Sequence, residues 1–255
     1  MNGRKKRIAH VLKSSIYSGA ENVVLTIMKE LREEYDFLYI ATEGSIRKKL
    51  EEEQVPFLLL KQFSYRNLTE AMRKYKPDIV HAHDFSATVM CALIPGKFRL
   101  ISHLHYDPPW ARKWNVRTAA YLVFGKRVYR ILAVSLGAYN NFVFADILRN
   151  KTVIVDNPID KSHIRTMGGS DQNKIYDVLF VGRLVEQKDP QTFIEIVKNL
   201  KKRNKEIKSA MIGSGMLEQD CRKYIESCGL QKNIELLGFQ KNPYFYMKAA
   251  KLCFS

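Results

Sequence analysis

The sequence predicts an α/β fold built as two doubly wound parallel sheets in succession, and three observations carry that expectation. Apolar runs of strand length alternate with helical patterns along almost the whole chain, and strands separated by helices pair in parallel with helices on both faces. The alternation is interrupted by one polar, glycine-containing stretch, "DKSHIRTMGGSDQNKIY" (160–176), which marks a boundary between domains. A chain of 255 residues suffices for one large or two smaller domains with real cores. The expected domains are 1–160 and 161–255.

In the first series, strands are expected near "RIAHVLK" (7–13), "FLYIAT" (37–42), "VPFLLLK" (55–61), "DIVHAH" (78–83), "RLISHLH" (99–105), "RILAVS" (130–135) and "TVIVDN" (152–157). Each is a short apolar run bounded by polar or turn residues. Helices fill the gaps, among them "AENVVLTIMKELREEY" (20–35) and "NLTEAMRKYK" (67–76). The second series reads as strand "DVLFVG" (177–182), helix (190–204), strand "IKSAMIG" (207–213) and helix (216–228). Strand "NIELLG" (233–238), a short helix and "KLCFS" (251–255) follow. A parallel strand with no helix after it leaves one sheet face poorly covered, so the second domain is expected to be incomplete.

Composition bounds the function classes. A hydrophobic fraction of 46% without low-complexity tracts indicates an ordered globular chain. No apolar run approaches the roughly 18 residues of a membrane span. The basic start "MNGRKKRIAHVLK" leads into a strand-like segment rather than a signal peptide. Cys91, Cys221, Cys228 and Cys253 form no C-x-x-C pair, which suits reduced cytoplasmic thiols. The net charge of +16 is compatible with nucleic acid, an anionic membrane surface or polyphosphate substrates, and equally with a plain solvated surface.

Four segments could carry chemistry. "SIYSGAENVV" (15–24) follows the first strand and opens a helix; Gly19 allows close backbone approach, and the helix N-terminus favours an anion. It is not a full G-x-G-x-x-G, and an ordinary strand–helix turn reads the same way. In "LFVGRLVEQKDPQTFIEI" (179–196), a buried strand ends at Gly182, followed by Arg183, then Lys188 and a helix-starting Pro190. Two cations at the C-terminal edge of a strand suit a diphosphate, Arg as a fork and Lys as a point charge; ordinary surface charge is the alternative. "AMIGSGMLEQ" (210–219) places Gly213 and Gly215 in another tight turn after a strand. Finally, "DPPWARKWNVRTAAYLVFGKRVYRIL" (107–132) combines Trp110, Arg112, Lys113, Trp114 and Arg117 with further aromatics and cations. It reads as a helix lying on an anionic membrane or as a core helix with a solvated basic face. None of the nucleic-acid modules recognised by motif is present, so no nucleic-acid partner is expected.

Four of the six histidines fall in two similar segments, "KPDIVHAHDFS" (76–86) and "LISHLHYDPPW" (100–110). Period two puts His81 and His83 on one face of their strand, and His103 and His105 on one face of theirs. A four-histidine metal site requires those strands to be neighbours, and neither pair brings carboxylate or thiolate ligands in catalytic-site geometry. No metal ligand is therefore assigned. Both pairs mark the edge of a parallel sheet where ligands bind.

The order of motifs resembles the retaining glycosyltransferases of family 4 (glycosyltransferase group 1), which have the two-domain GT-B fold. The matching segments are "SGAE", "KPDIVHAHD", "ISHLHYD", "ILAVS", "VIVDNPID", "FVGRLVEQKD", "MIGSG" and "IELLGF", spread over nearly the whole chain. The resemblance implies two Rossmann-like domains, the acceptor-side one first and the donor-nucleotide one second. It implies that Gly19 presents backbone amide to the donor diphosphate, and that Gly182, Arg183 and Lys188 grip it from the second domain with Gly213 and Gly215. His105 would face the transferred sugar, His81 and His83 being partly structural, while Gly238 and Phe239 would sit near the base. Pro158 in "NPID" and Asp189 after Lys188 stand where glycine is common in the family. The family's E-x7-E glutamates, which hold sugar and ribose, would begin a few residues after "KLCFS"; the resemblance thus implies a C-terminally truncated chain.

What the resemblance implies for function is sugar transfer from a nucleotide-diphosphate sugar to a glycan or lipid-linked acceptor, with retention and without cofactor or obligatory metal. Capsule, exopolysaccharide or other envelope glycan assembly at the inner membrane face is the expected setting, with Trp110, Arg112, Lys113, Trp114 and Arg117 on the acceptor and membrane side. Two alternatives stay open: a truncated, non-catalytic homologue that binds membrane or a partner, and a GT-B-like sugar-nucleotide epimerase.

Overall fold

The computed structural model of the chain describes residues 4–169 and 175–254. It divides into two compact units, Met1–Ile159 and Asp160–Ser255. In the first, strands β1 (Lys6–Val11), β2 (Tyr35–Thr42), β3 (Phe57–Leu60), β4 (Ile79–Ala82), β5 (Arg99–Leu104), β6 (Arg130–Ala133) and β7 (Thr152–Ile154) form one sheet in the order β3-β2-β1-β4-β5-β6-β7. Every pairing is parallel. The chain winds outward from β1 in one direction, then restarts at β4 on the other side of it. The boundary between β1 and β4 is the topological switch point, where ligands bind in open α/β sheets.

Helices α1 (Gly19–Leu31), α2 (Ile46–Glu52), α3 (Tyr65–Tyr75), α4 (Phe85–Leu93), α5 (Val116–Gly125), α6 (Leu136–Asn140) and α7 (Ala145–Leu148) belong to this unit. Side-chain alternation along the strands feeds two cores. Leu12, Phe37, Tyr39 and Ala41 pack with Val24, Leu25 and Met28 of α1. Ala9, Val11, Val80, Ala82, Leu100 and Leu104 pack on the opposite face with Phe85, Cys91 and Tyr121 of α4 and α5. Local chemistry starts these helices where the strands end. Ser64 accepts from the backbone of Asn67, Asp84 from that of Ala87, and Ser135 from that of Ala138. Each satisfies an amide that the first helical turn leaves open.

The second unit holds β8 (Tyr176–Val181), β9 (Ser209–Ile212), β10 (Ile234–Gly238) and β11 (Ala250–Phe254), all parallel, in the order β10-β9-β8-β11. Helices α8 (Lys161–Gly168), α9 (Pro190–Lys201), α10 (Glu218–Ser227) and α11 (Pro243–Lys248) complete it. Its switch point lies between β8 and β11.

One expectation gains detail and one needs correction. The polar stretch 160–176, expected as the boundary between domains, also carries a helix, Lys161–Gly168 (α8); residues 170–174 lie outside the described residues. The basic aromatic stretch is not one helix. Pro108 and Pro109 confine its start to a short 3-10 turn, Pro109–Arg112. Asn115 then opens α5 with a capping box shared with Thr118.

Candidate functional site

In the second unit, three strand ends are drawn together by backbone contacts. Gly182 donates its amide to the carbonyl of Ile212 at 2.9 Å, Gly213 to that of Gly238 at 2.8 Å, and Leu184 to that of Ser214 at 3.0 Å. Gly213 has φ +134, and a Cβ there would stand 1.9 Å from the Gly182 carbonyl oxygen. At Gly215 it would stand 2.2 Å from the Leu184 oxygen. The turns after β8, β9 and β10 thus interlock only because these two positions lack side chains. Gly182, Gly213, Gly215 and Gly238 are brought to one edge, at the C-terminal ends of the strands.

Two exposed cations flank that edge. Arg183 makes one long contact, 3.4 Å, to Gln187. The Lys188 stem lies beside Gly182, with Cγ 3.7 Å from where a Gly182 Cβ would be. Asp189, which follows, takes the left-handed conformation (φ 44, ψ 61) and caps α9 by accepting from the Thr192 amide at 3.2 Å. The helix N-terminus adds its partial positive charge to the two side chains. Phe239 is 73% exposed beside Gly238, an aromatic face at the rim of the same edge.

In the first unit, Gly19 is the first residue of α1 and is exposed. A Cβ there would meet nothing within 4 Å, so the chain itself places no demand for glycine at this turn. Buried Glu21, in the first helical turn, accepts from the Ser18 hydroxyl at 2.5 Å.

The histidines converge. His10 pairs in register with His81, β4 and β5 are neighbours, and five imidazoles form one cluster across β1, β4 and β5. His81 and His103 stack at 5.2 Å and 8°. His10 Nδ1 lies 2.9 Å from His83 Nε2, and His83 Nδ1 lies 2.9 Å from His105 Nε2. All but His105, which is partly exposed, are buried. Burial, with His103 adding, lowers His10 to about 3. Burial, with His105 and His81 adding, lowers His103 to about 2, and burial alone lowers His105 to about 4. His81 and His83 are pushed well below the ordinary histidine range, again first by burial and then by neighbouring imidazoles. All five are therefore neutral near pH 7. Two triads, His10/His81/His83 and His83/His103/His105, have ligand atoms within 4.8 Å of one another.

Sequence reasoning found four members of this cluster and missed His10. Its signal was a histidine inside the apolar run of β1, but its relation to the pairs depends on β1 lying against β4, which periodicity does not reveal.

The basic aromatic residues divide. Trp110 packs edge-on against Phe85 at 5.1 Å and carries Arg117 over its ring at 5.4 Å, while Arg112 is engaged by Asp107 at 2.5 Å. Trp114 is 71% exposed and neighbouring Val116 87%. A shallow cavity is lined by Trp110, Lys113, Trp114, Asn115, Val116 and Arg117. A larger cavity of about 640 Å³, lined among others by Arg7, Tyr35, Asp36 and Val55, lies at the N-terminal ends of β1 and β2. That is the edge opposite the one where ligands bind in this architecture, and none of the site residues lines it.

Comparison with known proteins bears on these features. Residues 17–163 match the family model "Glycosyltransferase Family 4", and residues 164–255 match "Glycosyl transferases group 1". An uncharacterised glycosyltransferase of Methanocaldococcus jannaschii is 27% identical over 228 residues, 78% of this chain. The capsular polysaccharide biosynthesis glycosyltransferase CapH of Staphylococcus aureus is 25% identical over 268 residues, 96% of this chain. The chain spans about half of the archaeal relative (54%) and 73% of CapH. HepE of Anabaena, solved in complex with UDP, has a similar fold at 19% identity, with a TM-score of 0.77 over 97% of this chain and 73% of its own. With one family model covering most of the first unit, a second covering nearly all of the other, and each unit built on a parallel sheet, the chain belongs to glycosyltransferase family 4.

Proposed function

We propose that the chain takes part in transferring a sugar from a nucleotide-diphosphate donor to a glycan or lipid-linked acceptor, with retention, in capsule, exopolysaccharide or other envelope glycan assembly. The observation that carries this reading is the interlocked edge of the second unit. Its backbone is locked by Gly213 and Gly215, and Arg183 and Lys188 stand exposed beside it with few partners of their own. Departure of a nucleoside diphosphate leaves negative charge on the outer phosphate. An arginine fork, a lysine point charge and a helix N-terminus preset beside it stabilise that charge as it forms. On this reading these groups replace a metal clamp, and transfer needs no metal.

Gly182, Gly213 and Gly215 supply the approach for the diphosphate, and Gly238 with Phe239 receives the base. In the first unit, Gly19 and the α1 N-terminus are assigned to the diphosphate, since only a ligand would make glycine necessary there. His105 is assigned to the sugar as the partly exposed, neutral member of the cluster; its Nε2 faces His83 and its Nδ1 is buried, so bonding a hydroxyl requires the ring to turn outward. Support for the setting comes from CapH, a capsular polysaccharide enzyme, and support for the donor from HepE, solved with UDP and with UDP-glucose. Among the described residues no helix is long and apolar enough to cross a membrane. Exposed Trp114 and Val116 beside Lys113 and Arg117, near Trp110 and Arg112, fit peripheral contact with an anionic membrane surface on the cytoplasmic side.

Calorimetry with UDP, GDP and their sugars tests the assignment. Arg183→Ala and Lys188→Ala are each expected to weaken nucleotide binding by about 10- to 100-fold, the worth of a charge-assisted hydrogen bond. Variants that bind as tightly as the parent would remove the diphosphate role. Turnover of a UDP-sugar with no acceptor present would favour epimerase chemistry instead.

A further inference from the structure

The histidine cluster holds more ring nitrogens than the protein's own partners use. His10 Nε2, His81 Nε2, both nitrogens of His103 and His105 Nδ1 are buried without a hydrogen-bonding partner among the described residues. Each such atom costs about 1–3 kcal/mol, and folded interiors carry few of them. Here they gather in one place, at the C-terminal ends of β1, β4 and β5.

The geometry points to a zinc-class transition-metal site formed by His83, His103 and His105. The donor set is all imidazole, which suits Zn, Ni, Cu or Co and not the oxygen-seeking Mg or Ca. In a tetrahedral site with Zn–N near 2.0–2.1 Å, ligand nitrogens stand about 3.3 Å apart. His83 Nδ1 and His105 Nε2 are at 2.9 Å, so they need open by only a few tenths of an ångström to admit an ion between them. His103 has both nitrogens available, and its ring lies 4.1 Å from that of His105 and 5.4 Å from that of His83, centroid to centroid.

An outer hydrogen bond is already in place. With Nδ1 on the ion, His83 donates from Nε2 to His10 Nδ1 at 2.9 Å, the kind of contact that fixes a ligand's tautomer and ring orientation. Three nitrogens leave a fourth position open, and partly exposed His105 gives that side access. The inner triad of His10, His81 and His83 is wholly buried, offers no such access, and competes for His83. The ion shares His105 with the sugar contact proposed above, but the transfer itself calls for no metal, and uptake is measured whether or not sugar is transferred.

Tag-free chain, stripped with chelator, is titrated with Co(II) while heat and visible d–d absorption are followed; Zn(II) is then added in competition. The expected result is one equivalent of Co(II) with intense tetrahedral-type bands that Zn(II) abolishes. His103→Gln and His105→Gln are expected to weaken uptake by about 100-fold or more, beyond the loss that outer-shell changes cause. His81→Gln, outside the set, is expected to keep the bands and the stoichiometry. Circular dichroism shows which variants are folded, and His105→Gln, at the end of a strand, serves if His103→Gln is not. The site is overturned if the parent takes up no stoichiometric ion, or if folded His105→Gln matches the parent. Loss of uptake in folded His81→Gln would likewise overturn the three-ligand assignment.

Discussion

Gly213 shows how one residue decides whether an edge can form. A methyl group there would meet a carbonyl oxygen of the backbone, not a flexible side chain, and φ +134 is a conformation that other residues rarely adopt. Gly213→Ala is expected to destabilise the second unit by about 3 kcal/mol or more, since both strain and clash apply. Urea unfolding followed by circular dichroism reads that loss, and a variant within 0.5 kcal/mol of the parent, about the ordinary surface effect, would contradict it. Gly19→Ala is the contrasting case. A Cβ there touches nothing, so its stability should stay within about 0.5 kcal/mol of the parent while donor affinity falls. Unchanged affinity would separate Gly19 from the diphosphate.

At the scale of elements, two helix connections carry clear expectations. Buried Ser102 of β5 bonds both Thr88 of α4, at 2.7 Å, and Tyr121 of α5, at 2.8 Å. Thr88 has a second partner in the Asp84 carbonyl, whereas Ser102 is the hydrogen-bond partner recorded for the Tyr121 hydroxyl. Ser102→Ala strands that hydroxyl in the core, while Tyr121→Phe leaves Ser102 its bond to Thr88. Ser102→Ala is therefore expected to cost more, about 1–3 kcal/mol against about 1 for Tyr121→Phe, and the reverse order in urea midpoints would refute the network. In the second unit, Asp189 both caps α9 and occupies the left-handed region. Asp189→Ala loses the cap and keeps the strain, and should lower stability by about 1–2 kcal/mol. Asp189→Asn, which tolerates the conformation and still caps, should fall within a few tenths of the parent.

At the scale of the molecule, each unit contains its own cores. The two clusters of the first involve residues between Ile8 and Leu148, and those of the second lie between Tyr176 and Phe254. Residues 1–159 expressed alone are expected to unfold cooperatively in urea, because among the described residues the core clusters of that unit are made of its own side chains; a non-cooperative melt would contradict this. The net charge of +16 bears on membrane contact. Sedimentation with phosphatidylserine vesicles is expected to fall with rising salt. Trp114→Ala with Val116→Ser should reduce it further at fixed salt, since those side chains are exposed and their loss leaves the charge unchanged. Equal sedimentation would assign vesicle binding to charge alone.

The sequence by itself determined what depends on near neighbours. Alternating strand and helix patterns, strand ends to within a few residues, the glycine turns after β8 and β9, and the shared face of each histidine pair follow from backbone periodicity and local sterics. Short-range signals were less complete where several turn residues compete: α8 sits inside a stretch read only as a boundary between domains, and what reads as one helix begins as a short 3-10 turn at two prolines, with α5 opening separately at Asn115. Only the tertiary structure decided which strand lies beside which. Placing β1 against β4 added His10 to four histidines visible in sequence, and it put the cluster at a switch point. Docking the turn after β9 onto the turn after β8 made Gly213 and Gly215 obligatory. Side-chain direction along a strand repeats every two residues whatever surrounds it. Strand pairing joins residues tens of positions apart, and is chosen by the burial of whole faces.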